Sequence, residues 1–238
     1  MTTAIVSAMH EELAAVLALM PDEQPDVVAG REFWHGHLHG ASVIAVLSRI
    51  GKVAAATTAT VLIERFHVAR IVFTGVAGAL GAAVSVGDVV VADSFLQHDL
   101  DASPIFPKYE VPLYGLSRFA ADTALSAQLA AATQRALPGV TVHRGLVVSG
   151  DRFVSTTAEC QALRSALPEA LAVEMEGAAI AQVCHDFGIP FAAVRTISDR
   201  ADDAANADFG SFIQNVASRY TAAIVEALLS AQAVPTPS

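Results

Sequence analysis

Along this chain the apolar residues come in short blocks, and their spacing switches repeatedly between the two-residue period of a strand and the 3.6-residue period of a helix. Thr3–Ser7 is an apolar run. It breaks into a segment where Leu13, Val16, Leu17 and Met20 recur at helical spacing, which predicts a strand followed by a helix. Arg31–Leu38 and Ser42–Ser48, divided by His39-Gly40, read as a β-hairpin. Lys52–Phe66 is alanine-rich and helical, and Arg70–Thr74 is a strand that runs into a glycine-rich loop over Gly75–Gly81. Asp88–Gln97 is a further strand, after which His98–Ser117 holds three prolines and no clear period.

The second half repeats the alternation. Helices are predicted over Asp122–Leu137, Thr157–Leu167, Gly177–Phe187 and Phe209–Leu229, and strands over Thr141–Ser149, Leu171–Val173 and Phe191–Ile197. Pro138-Gly139 stops the first of these helices, and Gly188 with Pro190 stops the third. No shift in composition marks a linker. The expected fold is α/β: one domain over residues 1–230, with a central mixed β-sheet flanked by helices on both faces, and a disordered tail over 231–238.

Composition narrows the function classes. The 238 residues carry 14 Lys and Arg against 24 Asp and Glu, a net charge of −10, so the chain repels a phosphate backbone and no nucleic-acid partner is expected. At 53% hydrophobic and 16% charged it is neither disordered nor highly solvated, and so little charge predicts a surface continued in an oligomer. No run reaches the roughly 18 apolar residues of a membrane span. The first residues lack the basic stretch of a signal peptide, and the two cysteines, Cys160 and Cys184, match no C-x-x-C spacing. A cytoplasmic protein with free buried thiols is expected.

In α/β sheets ligands bind beyond the carboxyl ends of the strands. The residues there are Glu11 and Glu12, Gly75–Gly78, Gly150–Phe153, Glu174-Met175-Glu176, and Arg195 to Asp199. A carboxylate among Glu174 and Glu176 suits sugar hydroxyls, although acids also cap a helix N-terminus. Asp199 suits a general acid, or equally a helix cap or a loop ion pair. Gly75-Val-Ala-Gly78 fits neither the dinucleotide nor the triphosphate fingerprint, and reads as ligand contact or as plain turn geometry. His35, His37 and His39 would share one strand face, but no nearby acid or cysteine completes a zinc shell, so a solvated face is the expectation. Asp199, Asp202 and Asp203 resemble a magnesium site only in composition.

Six segments, in order, resemble a known family: Ala8-Met-His-Glu-Glu12, Ser48-Arg-Ile-Gly-Lys-Val53, Thr74-Gly-Val-Ala-Gly78, Val147-Val-Ser-Gly-Asp-Arg-Phe153, Ala172-Val-Glu-Met-Glu-Gly177 and Val194-Arg-Thr-Ile-Ser-Asp199. They are similar to the 5′-methylthioadenosine/S-adenosylhomocysteine nucleosidases of the nucleoside phosphorylase superfamily. The resemblance implies hydrolysis of an N-glycosidic bond with release of adenine, no metal or organic cofactor, and a homodimer that binds 5′-substituted adenosines. It casts Asp199 as the acid on adenine N7 and Glu12 as the base on the attacking water, helped by Arg195. Glu176 would hold the ribose hydroxyls, Phe153 would stack on adenine, Met175 would pack under the ribose, and the Val154 backbone would read the adenine edge. Ile50, Val76, Ala77, Gly78, Glu174, Ser198 and Phe209 complete the expected pocket, with Phe106 in a loop that covers either the neighbouring subunit's 5′-tail pocket or its own domain. Well-known members carry Ser where this chain has Val76, and the segment His98–Tyr114 also departs from them. A phosphorylase of the same fold and a non-catalytic nucleoside binder are the alternatives; in the first, Glu12 would repel phosphate.

Overall fold

A computed structural model describes residues 1–202, 212 and 216–231. Thr3–Ser7 (β1) leads into His10–Leu17 (α1), and Gln24–Val28 (β2), Arg31–Leu38 (β3) and Ala41–Leu47 (β4) form an antiparallel wing. Lys52–Glu64 (α2), Arg70–Ala79 (β5), Val89–Gln97 (β6), the short Phe119–Ala120 (β7) and Thr123–Ala136 (α3) follow. Val142–Ser149 (β8), Thr157–Ala166 (α4), Ala170–Glu174 (β9), Gly177–Phe187 (α5), Phe191–Asp199 (β10) and Ser218–Ser230 (α6) complete the described elements.

The expected mixed sheet is present, and it is partly closed. β5 pairs with β10 in parallel, β10 with β6 antiparallel, β6 with β8 and β8 with β9 in parallel, and β9 returns antiparallel to β5. From that ring the order β5-β1-β4-β3-β2 runs out to the edge.

Strand alternation sorts side chains to two helical layers. In β1, Ala4 and Val6 enter one core with residues of α2 and α5, while Ile5 enters another with residues of α1, α3 and α6. β5 and β10 do the same, with Phe73 and Ala193 on the first side and Val72 and Val194 on the second. Both faces are covered, which is why these central strands read as unbroken apolar runs. A third cluster packs α4 through Cys160 and Leu167 against Val148 of β8. Both cysteines are free and buried, and burial pushes the Cys184 thiol up to about 12. Among the described residues no helix is long and apolar enough to cross a membrane.

The differences from the sequence reading have local causes. β2 was not expected, because Gln24-Pro-Asp26 carries no strand period; it is an exposed edge strand, where Pro25 costs no ladder bond. The segment Gly75–Ala79 is strand rather than loop, held by pairing of Gly75–Gly78 with β10 and of Gly78 and Ala79 with β9. His39 sits in the turn with φ 50°, off the strand. The histidines are dispersed: His35 packs edge-on to Phe66, His37 Nδ1 meets Asp22 at 2.7 Å, and His39 lies 3.6 Å from Glu226. Of the helix expected over Phe209–Leu229, residues 212 and 216–229 lie within the described residues, and Phe209, Asp203 and the tail beyond Ala231 lie outside them.

Candidate active site

Five strand ends and one helix start meet at a cavity of about 410 Å³. The ends of β5, β9 and β10 contribute Val76, Ala77, Gly78, Glu174, Ser198 and Asp199. The turn after β8 brings Phe153 and Val154, Met175 and Glu176 follow β9, and Ile50 follows β4. The expected pocket residues thus converge, apart from four. Phe209 lies outside the described residues, and Phe106 is not part of this chain's own cavity wall. Glu12 and Arg195 are fully buried rather than in the wall, with Ala8 and Met9 of the α1 approach lining it instead.

Glu12 occupies the first turn of α1, and its carboxylate turns back to accept from the Met9 backbone N–H at 3.3 Å. Its Oε1 is buried with no hydrogen-bond partner. Burial drives its pKa up to about 7, against the pull of the nearby Arg195 charge and the Met9 N–H. A carboxyl in that range is half ionised at neutral pH, as a general base requires.

Arg195 is held from two sides. Its Nη2 donates to Glu174 Oε2 at 2.6 Å, and its guanidinium carbon lies 3.7 Å above the Phe73 ring. Nε and Nη1 are buried without a hydrogen-bond partner. Gly75 makes the approach possible, since a Cβ there would stand 2.7 Å from Arg195 Nη1. Gly78 is similarly constrained: a Cβ would stand 2.9 Å from both Ala201 Cβ and Asp199 Oδ1. These glycines serve close packing of side chains within the β5–β10 ladder, and Gly78 also lines the cavity.

Glu174 lines the cavity, yet its oxygens are already engaged. They accept from the backbone N–H of Glu176 at 3.2 Å and of Gly177 at 2.9 and 3.0 Å, from Ser149 Oγ, and from Arg195. It therefore caps the start of α5 and fixes Arg195 in one stroke. Ser149 Oγ in turn accepts from Ala178 N at 2.8 Å. Glu176 accepts from Gly51 N at 2.9 Å through Oε1. Burial, and then repulsion from Glu174, raises its pKa. Asp199 is buried at the end of β10, with Ser198 Oγ donating to its Oδ2 and Ala201 N to its Oδ1, each at 2.7 Å.

Sequence reasoning missed the roles of Ser149 and Gly51, although both lie inside motifs it singled out. It also missed the support behind Gly51. Lys52 N donates to Asp151 Oδ1 at 2.7 Å, Lys52 Nζ pairs with Asp99 at 2.6 Å, and Asp151 N returns to Asp99 at 2.8 Å. No spacing rule brings Lys52, Asp99 and Asp151 together.

The chain matches the family model described as the phosphorylase superfamily over residues 2–230. It is 39% identical over 233 residues to a 5′-methylthioadenosine/S-adenosylhomocysteine nucleosidase of Geobacillus thermodenitrificans, covering 97% of each chain. Among solved structures, the nucleosidase of the same name from Neisseria meningitidis, in complex with methylthio-immucillin-A, superposes with a TM-score of 0.92 at 35% identity. That match covers 97% of this chain and 99% of the other. The futalosine hydrolase of Helicobacter pylori superposes with a TM-score of 0.90 at 32% identity, covering 97% of each chain.

Proposed function

The chain belongs to the phosphorylase superfamily and, within it, to the 5′-methylthioadenosine/S-adenosylhomocysteine nucleosidases, and on that premise we propose how its residues perform the hydrolysis. It is an N-glycosyl hydrolase that releases adenine and the 5′-thioribose from 5′-methylthioadenosine and S-adenosylhomocysteine. Asp199 donates a proton to adenine N7, so that the purine leaves neutral. Glu12 removes a proton from the water whose oxygen bonds to the anomeric carbon, and the Arg195 charge holds Glu12 partly ionised for that task. Glu176, fixed by Gly51, receives the ribose hydroxyls and opposes the positive charge that develops on the sugar. Phe153 stacks on adenine and Met175 packs beneath the ribose. Where relatives carry Ser, Val76 offers no hydroxyl, so the water is positioned by Glu12 and Arg195.

The observation that carries this reading is that Asp199 of β10 and Glu176 of the β9–α5 turn line one cavity of sugar-and-base size, with Glu12 buried on α1, whose approach residues Ala8 and Met9 line the same cavity. Adenine release from 5′-methylthioadenosine in phosphate-free buffer tests it. Strict dependence on added phosphate would assign a phosphorylase instead, and tight binding with no adenine release over hours would assign a binder. Phosphate is disfavoured because the buried Glu12 and Glu176 would repel it.

We further propose that the active unit is a homodimer. Ile50, beside the cavity, and Val53 on the exposed face of α2 are 60% and 79% exposed, and Ile105 and Leu113 of the proline-rich segment reach 82% and 91%. So much exposed apolar surface, with Ile50 at the cavity itself, suits a partner subunit. Val111 of the same segment is instead buried and pairs in a bridge with Leu116. Phe106→Ala is expected to raise KM for substrates with long 5′ groups more than for adenosine. A fully active monomer in sedimentation at nanomolar concentration would overturn the dimer.

A further inference from the structure

A second cavity, of about 570 Å³, adjoins the first and shares Ala8, Met9 and Ile50 with it. Its wall includes Arg31, Arg49 and Glu32, set against Trp34. The shared residues lie on the side of the active site formed by the α1 approach and the turn after β4. On the proposed reading, a 5′ substituent projecting past Ile50 and Met9 enters this second space.

The charges there are unusual for this chain. Acids outnumber bases by 24 to 14, yet among the described residues neither Arg31 nor Arg49 forms an ion pair. Arg31 is clamped: Nε donates to Thr58 Oγ1 at 2.8 Å, Nη1 to Ala29 O at 3.0 Å and Nη2 to Ala54 O at 3.3 Å. Arg49 donates from Nη2 to Gly30 O, which anchors a group with five donors through one of them. The two guanidiniums are near enough to repel, and in the wall they face one carboxylate, Glu32. Arg49 also holds a left-handed backbone, φ 64°, where glycine would be at ease.

We propose that this cavity is the subsite for a zwitterionic α-amino acid at the end of the 5′ substituent, as in S-adenosylhomocysteine. Arg49 receives the carboxylate, and Glu32 receives the ammonium. Arg31 adds charge but keeps its donors on the protein. The inference rests on the nucleosidase reading, and it makes Arg49 a residue that decides between charged and uncharged 5′ groups.

The test compares kcat/KM for S-adenosylhomocysteine with that for 5′-butylthioadenosine, which has a tail of similar length and no charge. Arg49→Gly relieves the backbone and so preserves the fold. It is expected to lower the ratio of the two values about three- to tenfold, the range for a charge-assisted contact at a half-open site. Arg49→Lys restores most of the ratio, and Glu32→Gln lowers it. An unchanged ratio in Arg49→Gly would overturn the subsite, and a raised ratio in Glu32→Gln would overturn the ammonium assignment. Failure of the unaltered protein to release adenine from either substrate would overturn the hydrolase reading, and this inference with it.

Discussion

Asp199→Asn lowers kcat for 5′-methylthioadenosine by about 10²–10⁴-fold, the contribution expected of general acid catalysis. The substitution is close to isosteric. The amide oxygen of Asn can still accept from Ala201 N, now at 2.7 Å, so the end of β10 keeps its shape while the transferable proton is lost. Adenine expelled without that proton must leave as an anion, which places the whole loss on bond cleavage. Two measurements separate this from mere misfolding. KM should move far less than kcat, and an analogue whose leaving group needs no proton, such as a nitrophenolate, should lose little rate. Turnover of 5′-methylthioadenosine within a few fold of the unaltered protein would remove Asp199 from the acid role.

Glu12→Gln abolishes most activity and at the same time stabilises the folded protein at alkaline pH. The carboxyl titrates near 4.5 when solvated but near 7 in its buried place. Between those values the folded state holds the proton more tightly than the unfolded state. Stability therefore falls as pH rises from about 4.5 to about 7 and levels off above, a cost of about 3 kcal/mol from this group. A neutral glutamine avoids the ionisation, and with part of the gain lost to its own unpaired amide, about 1–3 kcal/mol should appear at pH 8. Thermal or urea unfolding at pH 5 and pH 8 measures it: the difference between the two pH values should be smaller in the variant. Glu176, raised in the same direction, contributes the same slope to both proteins and cancels in the comparison. The same titration predicts that kcat/KM declines on acidification below about pH 7. Equal pH slopes of stability in the two proteins, or a flat kcat/KM between pH 5 and 8, would show that Glu12 is not the buried base.

The coexistence of these two effects is what a functional site built at the expense of stability should show. An unpartnered carboxylate oxygen on Glu12 and two unpartnered guanidinium nitrogens on Arg195 are each unfavourable in a buried place. Glu174 limits the cost by neutralising Arg195 while its other bonds anchor α5.

Much of this was legible along the chain. Periodicity is a local property, so the alternation of strands and helices, both faces of the sheet and the strand ends that carry Glu12, Glu176 and Asp199 followed from the order of residues. What periodicity does not carry is which strands meet. Closing the ring from β9 back to β5 turned a glycine-rich stretch into strand, and its missing side chains make room for Arg195 and Asp199. The engagement of Glu174, the support of Glu176 by Gly51 and the titration of Glu12 near 7 likewise depend on groups 21, 125 and 183 positions apart in the chain. Residue types name the groups able to do the chemistry; desolvation and charge pairing, which set how they do it, come into being only when distant segments exclude water together.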